Sequence, residues 1–194
     1  MKSGASKFIK RLQEKSVLWM GILNLTQDSF SDGGDFYCIE AALNRVSEYL
    51  DYGVDIIDFG ACSTRPGSES PPWQDELVRL KPVLEKIRSK CLEKNVLISL
   101  DSFHPQVAKS LAEENLIDII NDVMACRVFV NSDVKKICMF DVAKDFNLGL
   151  VIMHMKGQPK TMQHSPHYEN CLKEVKEFFI ERLEKAQQYD LKGL

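Results

Sequence analysis

Five apolar runs in this chain each break off into a polar residue suited to binding or chemistry, and that repeated junction most constrains the fold. Val17–Leu23 leads into Asn24, Val54–Phe59 carries Asp58 near its end, and Val96–Leu100 leads into Asp101. Ile117–Ile120 leads into Asn121 and Leu148–Met153 into His154. Runs that are continuously apolar rather than alternating suit strands of a parallel sheet covered on both faces. Helical spacing fills the intervals. Ile39, Ala42, Leu43, Val46 and Leu50 trace one apolar face, with Gly53 placed for a left-handed cap. Leu77, Leu80, Leu84, Ile87 and Cys91 trace a second, in which Pro82 is expected to kink the helix or mark a restart. Pro105 fits the first turn of a helix carrying Val107, Ala108 and Leu111. Val134, Ile137, Cys138, Val142 and Phe146 form a fourth face, and Leu172, Val175, Phe179, Leu183 and Ala186 a fifth.

Strand then helix, five times over, defines an α/β protein. Two architectures satisfy the pattern: an open doubly wound sheet, or the first five units of a (β/α)8 barrel, a fold that takes about 250 residues. In either, residues at the carboxyl ends of parallel strands converge on one rim, where such folds place their sites.

The 194 residues, 44% hydrophobic and 27% charged, suit a single globular domain spanning 1–194. A net charge of -3 offers no field for nucleic acid. No segment reaches the ~20 apolar residues needed to cross a bilayer, and the start has no long apolar run of a secretory signal. The six cysteines are irregularly spaced without a CxxC pair, which disfavours a zinc cage and a disulfide framework. These features point to a cytoplasmic protein with reduced thiols.

The long loops Asn24–Cys38, Gly60–Pro72 and Met155–His167 all follow strands, as lids over a site do. The first combines Asp28 and Asp32 with three hydroxyls and Gly33-Gly34, so it can offer oxygen ligands to Mg²⁺ or stabilise a cation, or simply make a polar turn. In the second, Arg65 between Thr64 and Pro66 presents a planar fork of donors suited to an anionic group, against the plainer reading of a solvated arginine. Cys62 has no histidine near it in sequence and reads as a bystander. Asp101 and Asn121 together can read the donor and acceptor edge of a heterocycle. Taken singly, Asp101 could cap the helix at Pro105 and Asn121 could satisfy a loop backbone. The third loop has no P-loop spacing, and no GxGxxG occurs in the chain.

Four segments carry a family resemblance: Gly21-Ile-Leu-Asn-Leu-Thr-Gln-Asp-Ser-Phe-Ser-Asp-Gly-Gly34, Ile56-Ile-Asp-Phe-Gly-Ala-Cys-Ser-Thr-Arg-Pro-Gly67, Ile119-Ile-Asn-Asp122 and Met153-His-Met-Lys-Gly-Gln-Pro-Lys-Thr-Met-Gln163. On these the chain resembles the dihydropteroate synthases, pterin-binding enzymes of folate biosynthesis. The resemblance implies a TIM (β/α)8 barrel and condensation of hydroxymethyl-dihydropterin diphosphate with para-aminobenzoate, releasing diphosphate. It implies that Asp101 and Asn121 hold the pterin, Thr64 contacts the pterin diphosphate, and Asn24 helps hold Mg²⁺ on the diphosphate. It assigns Asp32 to the carbocation, and Phe30, Arg65 and Pro66 to the para-aminobenzoate site. Sulfonamide inhibition and a homodimer of the full-length protein are also implied.

Gln27 stands where the family usually has Pro, and Ala61-Cys62 where it has Gly-Glu. The family's later Asp-Pro-Gly-Phe-Gly, Ser-Arg-Lys and Arg-x-His segments do not occur here. About five of eight units are therefore expected, with the C-terminal third missing and little turnover from this chain alone. A pterin-dependent methyltransferase shares the barrel and the Asn/Asp recognition, although Ser63-Thr-Arg-Pro-Gly67 favours the synthase. A pterin-binding remnant without turnover is the alternative from a different class.

Overall fold

The computed structural model describes residues 3–25, 34–61, 72–127, 137–157 and 166–191. Five parallel strands lie in sequence order, β1 (Met20–Asn24), β2 (Ile56–Gly60), β3 (Leu97–Asp101), β4 (Ile119–Asp122) and β5 (Gly149–Ile152). Between and after them run α2 (Gly34–Tyr52), α3 (Trp73–Glu93), α4 (Pro105–Glu113), α5 (Met139–Asp145) and α6 (Cys171–Gln188), preceded by α1 (Gly4–Glu14). Strands that neighbour one another in sequence and in space are those of a barrel wall. A doubly wound sheet reverses its order at a switch point.

The outward face of the sheet forms the main core. Leu23, Ile57, Phe59, Ile98, Leu100, Ile120 and Leu150 pack under Ala42 and Val46 of α2, Leu80, Leu84 and Ile87 of α3, and Val107 and Leu111 of α4. The helices stop where left-handed residues turn the chain back: Gly53 at φ 71°, Asn95 at 55°, Asn115 at 57° and Asn147 at 52°. Glycine or asparagine supplies that conformation at least cost. The helix α3 runs through Pro82 without the restart that was one of the two expectations there. The proline removes only the bond to the Val78 carbonyl, and Val78 is 72% exposed, so water can satisfy that group.

Three further expectations are corrected. β1 begins at Met20 rather than Val17, and Val17 and Trp19 are exposed instead of buried in the sheet. Within the described residues α5 is confined to Met139–Asp145, with Ile137 and Cys138 ahead of it. In α6 Leu172 is 82% exposed, while Arg182 and Ala186 are the residues buried.

The inward face is layered. Met20, Ile56 and Leu97 lie in one row, then Ile22, Asp58, Ser99, Ile119 and Gly149, then Asn24, Gly60, Asp101, Asn121 and Val151. The interior thus changes from apolar to polar toward the carboxyl ends of the strands. The apolar end is closed by α1, whose Phe8 packs with Ile56, Leu97 and Ile119. A Cβ on Gly149 would lie 2.8 Å from the Phe8 ring, so that glycine makes the seat. Buried acids at the amino ends of the strands hold the helix. Asp55 meets Lys15 at 2.5 Å and its carbonyl accepts from Arg11 at 2.6 Å, while Lys7 lies 3.5 Å from Asp118.

Asp118 is the stronger anchor. Burial alone would raise its pKa, but two hydrogen bonds from Arg88, at 2.5 and 2.9 Å, and the Ile98 N–H hold it below the ordinary carboxylate range. Arg88→Ala would leave the carboxylate buried with weaker partners. We expect a loss of about 3 kcal/mol, the low end for breaking a buried pair because Lys7 and Ile98 remain, read as a lower urea midpoint with unchanged slope.

Candidate active site

The polar row at the carboxyl ends is built by register alone. Asn24 pairs with Gly60, Gly60 with Asp101 and Asp101 with Asn121, so residues from four strands stand side by side on one face. Gly60 leaves the space between its neighbours open. A Cβ there would lie 2.9 Å from Asn24 Oδ1 and 3.3 Å from Asp101 Oδ2, which shows both oxygens leaning over the same glycine. The Asn121 amide reaches down a row and donates from Nδ2 to Asp58 Oδ2 at 3.1 Å.

The plainer roles for Asp101 and Asn121 do not hold. The N-cap of α4 is His104, and among the described residues Asp101 Oδ1 is buried with no hydrogen-bond partner. A buried carboxylate oxygen without a donor is costly in a finished core and suits a surface awaiting a ligand. Its surroundings are acidic. Burial first, then the charges of Asp58, Glu76 and Asp122, push the Asp101 pKa up to about 7. Glu76 on α3 is fully buried and bonds His104 Nδ1 at 2.7 Å, with Oε1 unpartnered. Asp58 is also raised by burial, against the lowering effects of Ser99 and Asn121. Ser99 stands beside Asp58 in register yet makes no well-formed hydrogen bond to it, so Asp58 Oδ1 stays unpaired. Asp122 faces the other way and ties the following turn, accepting from Met124 and Cys126 N–H at 2.7 and 2.8 Å.

Of the residues expected at the site, Asn24, Asp101 and Asn121 are brought together here. Phe30, Asp32, Thr64, Arg65 and Pro66 lie outside the described residues. His154 is not part of the row: its ring packs edge-on against Phe178 of α6 at 4.8 Å and near Tyr168 at 6.0 Å. Sequence reading set Asp58 near a strand end with the rim residues but not one row below Asp101, and it gave Glu76 and His104 no place there. Period-two counting back from Gly60 would have put Asp58 on the site face. Among the described residues no group of three or more His, Cys, Asp or Glu side chains could hold a metal. Asn24 supplies one hard oxygen at the rim, which fits a Mg²⁺ ion that takes most of its ligands from phosphate and water.

Parallel βα units with an acid and amides converging at the carboxyl ends of adjacent strands define a barrel-type α/β protein with a site for a small polar molecule. The chain belongs to the pterin binding enzyme family, whose profile matches residues 20–193. It is 42% identical over 175 residues to a folate synthesis bifunctional protein of Arabidopsis thaliana, covering 89% of this chain and 34% of that one. Two solved structures are similar. The dihydropteroate synthase of Yersinia pestis, in complex with a sulfonamide drug, superposes with a TM-score of 0.74 at 34% identity, over 89% of this chain and 58% of that one. That of Clostridium difficile, determined in the presence of pteroic acid, gives 0.76 at 32%, over 92% and 61%. The chain therefore spans between about a third and three fifths of the length of these relatives.

Two outcomes are expected. In Gly60→Ala the new methyl group must displace Asn24 Oδ1, a side-chain end that can yield. Thermal stability should then change by less than about 1 kcal/mol, while calorimetry should show a weakened affinity for a pterin. In Asp101→Asn the effect on stability depends on pH. The native Asp101 pKa lies above the unfolded value, so the folded state binds the proton more tightly and stability falls as pH rises from about 4 through about 7. The variant escapes that loss. It should exceed the unsubstituted protein by on the order of 1 kcal/mol at pH 8, and the advantage should vanish below pH 4 in paired denaturation curves.

Proposed function

We infer that this chain is a dihydropteroate synthase, joining 6-hydroxymethyl-7,8-dihydropterin diphosphate to para-aminobenzoate. The observation that carries the reading is the acid and amide row over Gly60, with Asp101 Oδ1 buried and unpartnered. Such a row suits a flat heterocycle whose edge carries adjacent N–H and amino donors. The family match, and neighbours solved with pteroic acid and with a sulfonamide, support the same ligand class.

In this reading Asp101 and Asn121 hold the pterin edge, and the acid is ionised when the ligand's donors bond to it. The amine of para-aminobenzoate attacks the methylene carbon of the pterin, the carbon–oxygen bond breaks, and diphosphate leaves with the bonding electrons. The amine then loses a proton. Asp32 stabilises the positive charge that develops on the pterin methylene. Thr64 contacts the pterin diphosphate, and Phe30, Arg65 and Pro66 shape the para-aminobenzoate pocket. Asn24 would hold Mg²⁺, which when bound stabilises charge on the departing diphosphate oxygens. The protein would work in the cytosol, and a full-length homodimer is part of the proposal. Among the described residues no helix is long and apolar enough to cross a membrane.

The test combines binding with turnover on the whole chain. Calorimetric titration with 6-hydroxymethylpterin should show one site, weakened about 10- to 100-fold in Asp101→Asn through loss of a charged hydrogen-bond acceptor. Dihydropteroate should form from the two substrates, and a sulfonamide should compete with para-aminobenzoate. Binding without product would make the chain a non-catalytic pterin binder. No pterin binding, or methyl transfer from methyltetrahydrofolate to a corrinoid, would overturn the assignment.

A further inference from the structure

We propose that Asp58 is an orienting residue for recognition: it holds the amide nitrogen of Asn121, so that the cleft meets the Asn121 oxygen and selects ligand edges rich in donors. The inference rests on the pterin reading of the cleft and adds a specificity determinant to it. Asp58 lies inside β2 and is 4% exposed, too deep to be a ligand contact of the upper row. Its register partners are Ile22 and Ser99, one layer below Asn24, Gly60 and Asp101 on the same inward face. From β4, Asn121 crosses the intervening β3 to donate from Nδ2 to Asp58 Oδ2 at 3.1 Å, linking residues 63 apart in sequence.

An asparagine amide has nearly the same shape in its two orientations, so packing does not choose between them. The chemistry of the neighbour does. Turned over, Asn121 would set its carbonyl oxygen against the Asp58 carboxylate, lone pair to lone pair, in a buried place. The carboxylate therefore selects the orientation with nitrogen down. One end of the amide is committed to Asp58, which leaves Oδ1 for the cleft beside Asp101, whose own Oδ1 has no partner. Two acceptors from adjacent strands match a heterocycle with a ring N–H next to an amino group. An edge that offers an acceptor in either place would face oxygen against lone pair, and the site would reject it.

The test uses the whole chain as Asp58→Asn and Asp58→Val, each checked for fold by circular dichroism and thermal melting. In the unliganded protein, the side-chain amide signals of Asn121 should appear as one protected pair in the original sequence. They should shift toward solvent-like values and double in Asp58→Val, with Asp58→Asn in between because its amide oxygen still accepts. In calorimetric titrations the original chain should prefer pterin over its 2-deamino analogue by at least about 10-fold. Asp58→Val should narrow that ratio to about 3-fold or less, Asp58→Asn should recover part of it, and the double variant Asp58→Val/Asn121→Ala should bind no worse than Asn121→Ala.

Unchanged Asn121 signals, a preserved preference in Asp58→Val, or losses that add across the double variant would each overturn the proposal. If the original chain binds no pterin, the functional reading fails by itself, and the Asn121 signals alone decide whether Asp58 orients the amide.

Discussion

The site depends on the parallel register that β2 keeps with β1 and β3. With Gly60 opposite both Asn24 and Asp101, alternate residues of neighbouring strands share one face, and the interior becomes a stack of rows rather than a mixture. A slip of one residue in β3 would turn Asp101 into the helix-packed core and send Leu100 into the cleft. The outward face resists that slip, because Ile57, Phe59, Ile98 and Leu100 are all fully buried under the helices. Burial of each such side chain contributes roughly 1.5–3 kcal/mol, which makes the hydrophobic side of the sheet the element that aims the polar side.

That aim gathers charges which would otherwise separate. Burial first, and then the charges of Asp58, Glu76 and Asp122, push Asp101 up to about 7. Among the described residues the charges that act on Asp101 are acidic. His104 is engaged with Glu76, and Arg127 reaches the carbonyls of Met124, Met155 and Gly157 on the next loop. At the opposite end of the same strands, Asp55 and Asp118 are equally buried but bonded to Arg11, Lys15 and Arg88, and both stay below the ordinary carboxylate range. One end of the sheet has its acids fully paired and locks α1 in place. Among the described residues the other end leaves Asp101 Oδ1 without a partner in the rim row, where in the proposed function a ligand's donors would complete it.

Sequence reading captured the strands and three of the site residues for one reason: in a parallel sheet the end of an apolar run marks the rim. Asn24, Asp101 and Asn121 follow that rule and share a row. His154 follows the same rule and does not belong. Val151 is the β5 member of the row, and His154 lies three residues further on, an odd step that points it outward onto Phe178. Telling these cases apart takes the pairing between strands, which local sequence does not contain. Asp58, read as a polar residue near the end of its run, lies one row below the rim because it precedes Gly60 by two residues. The helix α1 was missed because Phe8, Ile9 and Leu12 make too short a stripe to stand out, and its stability comes from Asp55 and Asp118, distant in sequence. The ends of α3, α4 and α5 were readable in principle, since Asn95, Asn115 and Asn147 take the left-handed position in each.

Among the described residues β1 and β5 are the outer strands, and exposed apolar residues lie by each: Trp19 at 70% and Ile22 at 60% by the first, Met153 and Leu183 by the second. The candidate heterocycle contacts avoid the β5 side. Asp101 and Asn121 sit on β3 and β4, Asp58 and Gly60 on β2, and each of these strands is paired on both sides. Only Asn24 stands on an outer strand, and its position at the rim suits a residue that meets the phosphate end of a ligand. In the proposed function, recognition of the flat ring would draw on strands paired on both sides, and loosening of the outer strands would act first on Asn24 and the diphosphate, and only later on Asp101 and Asn121.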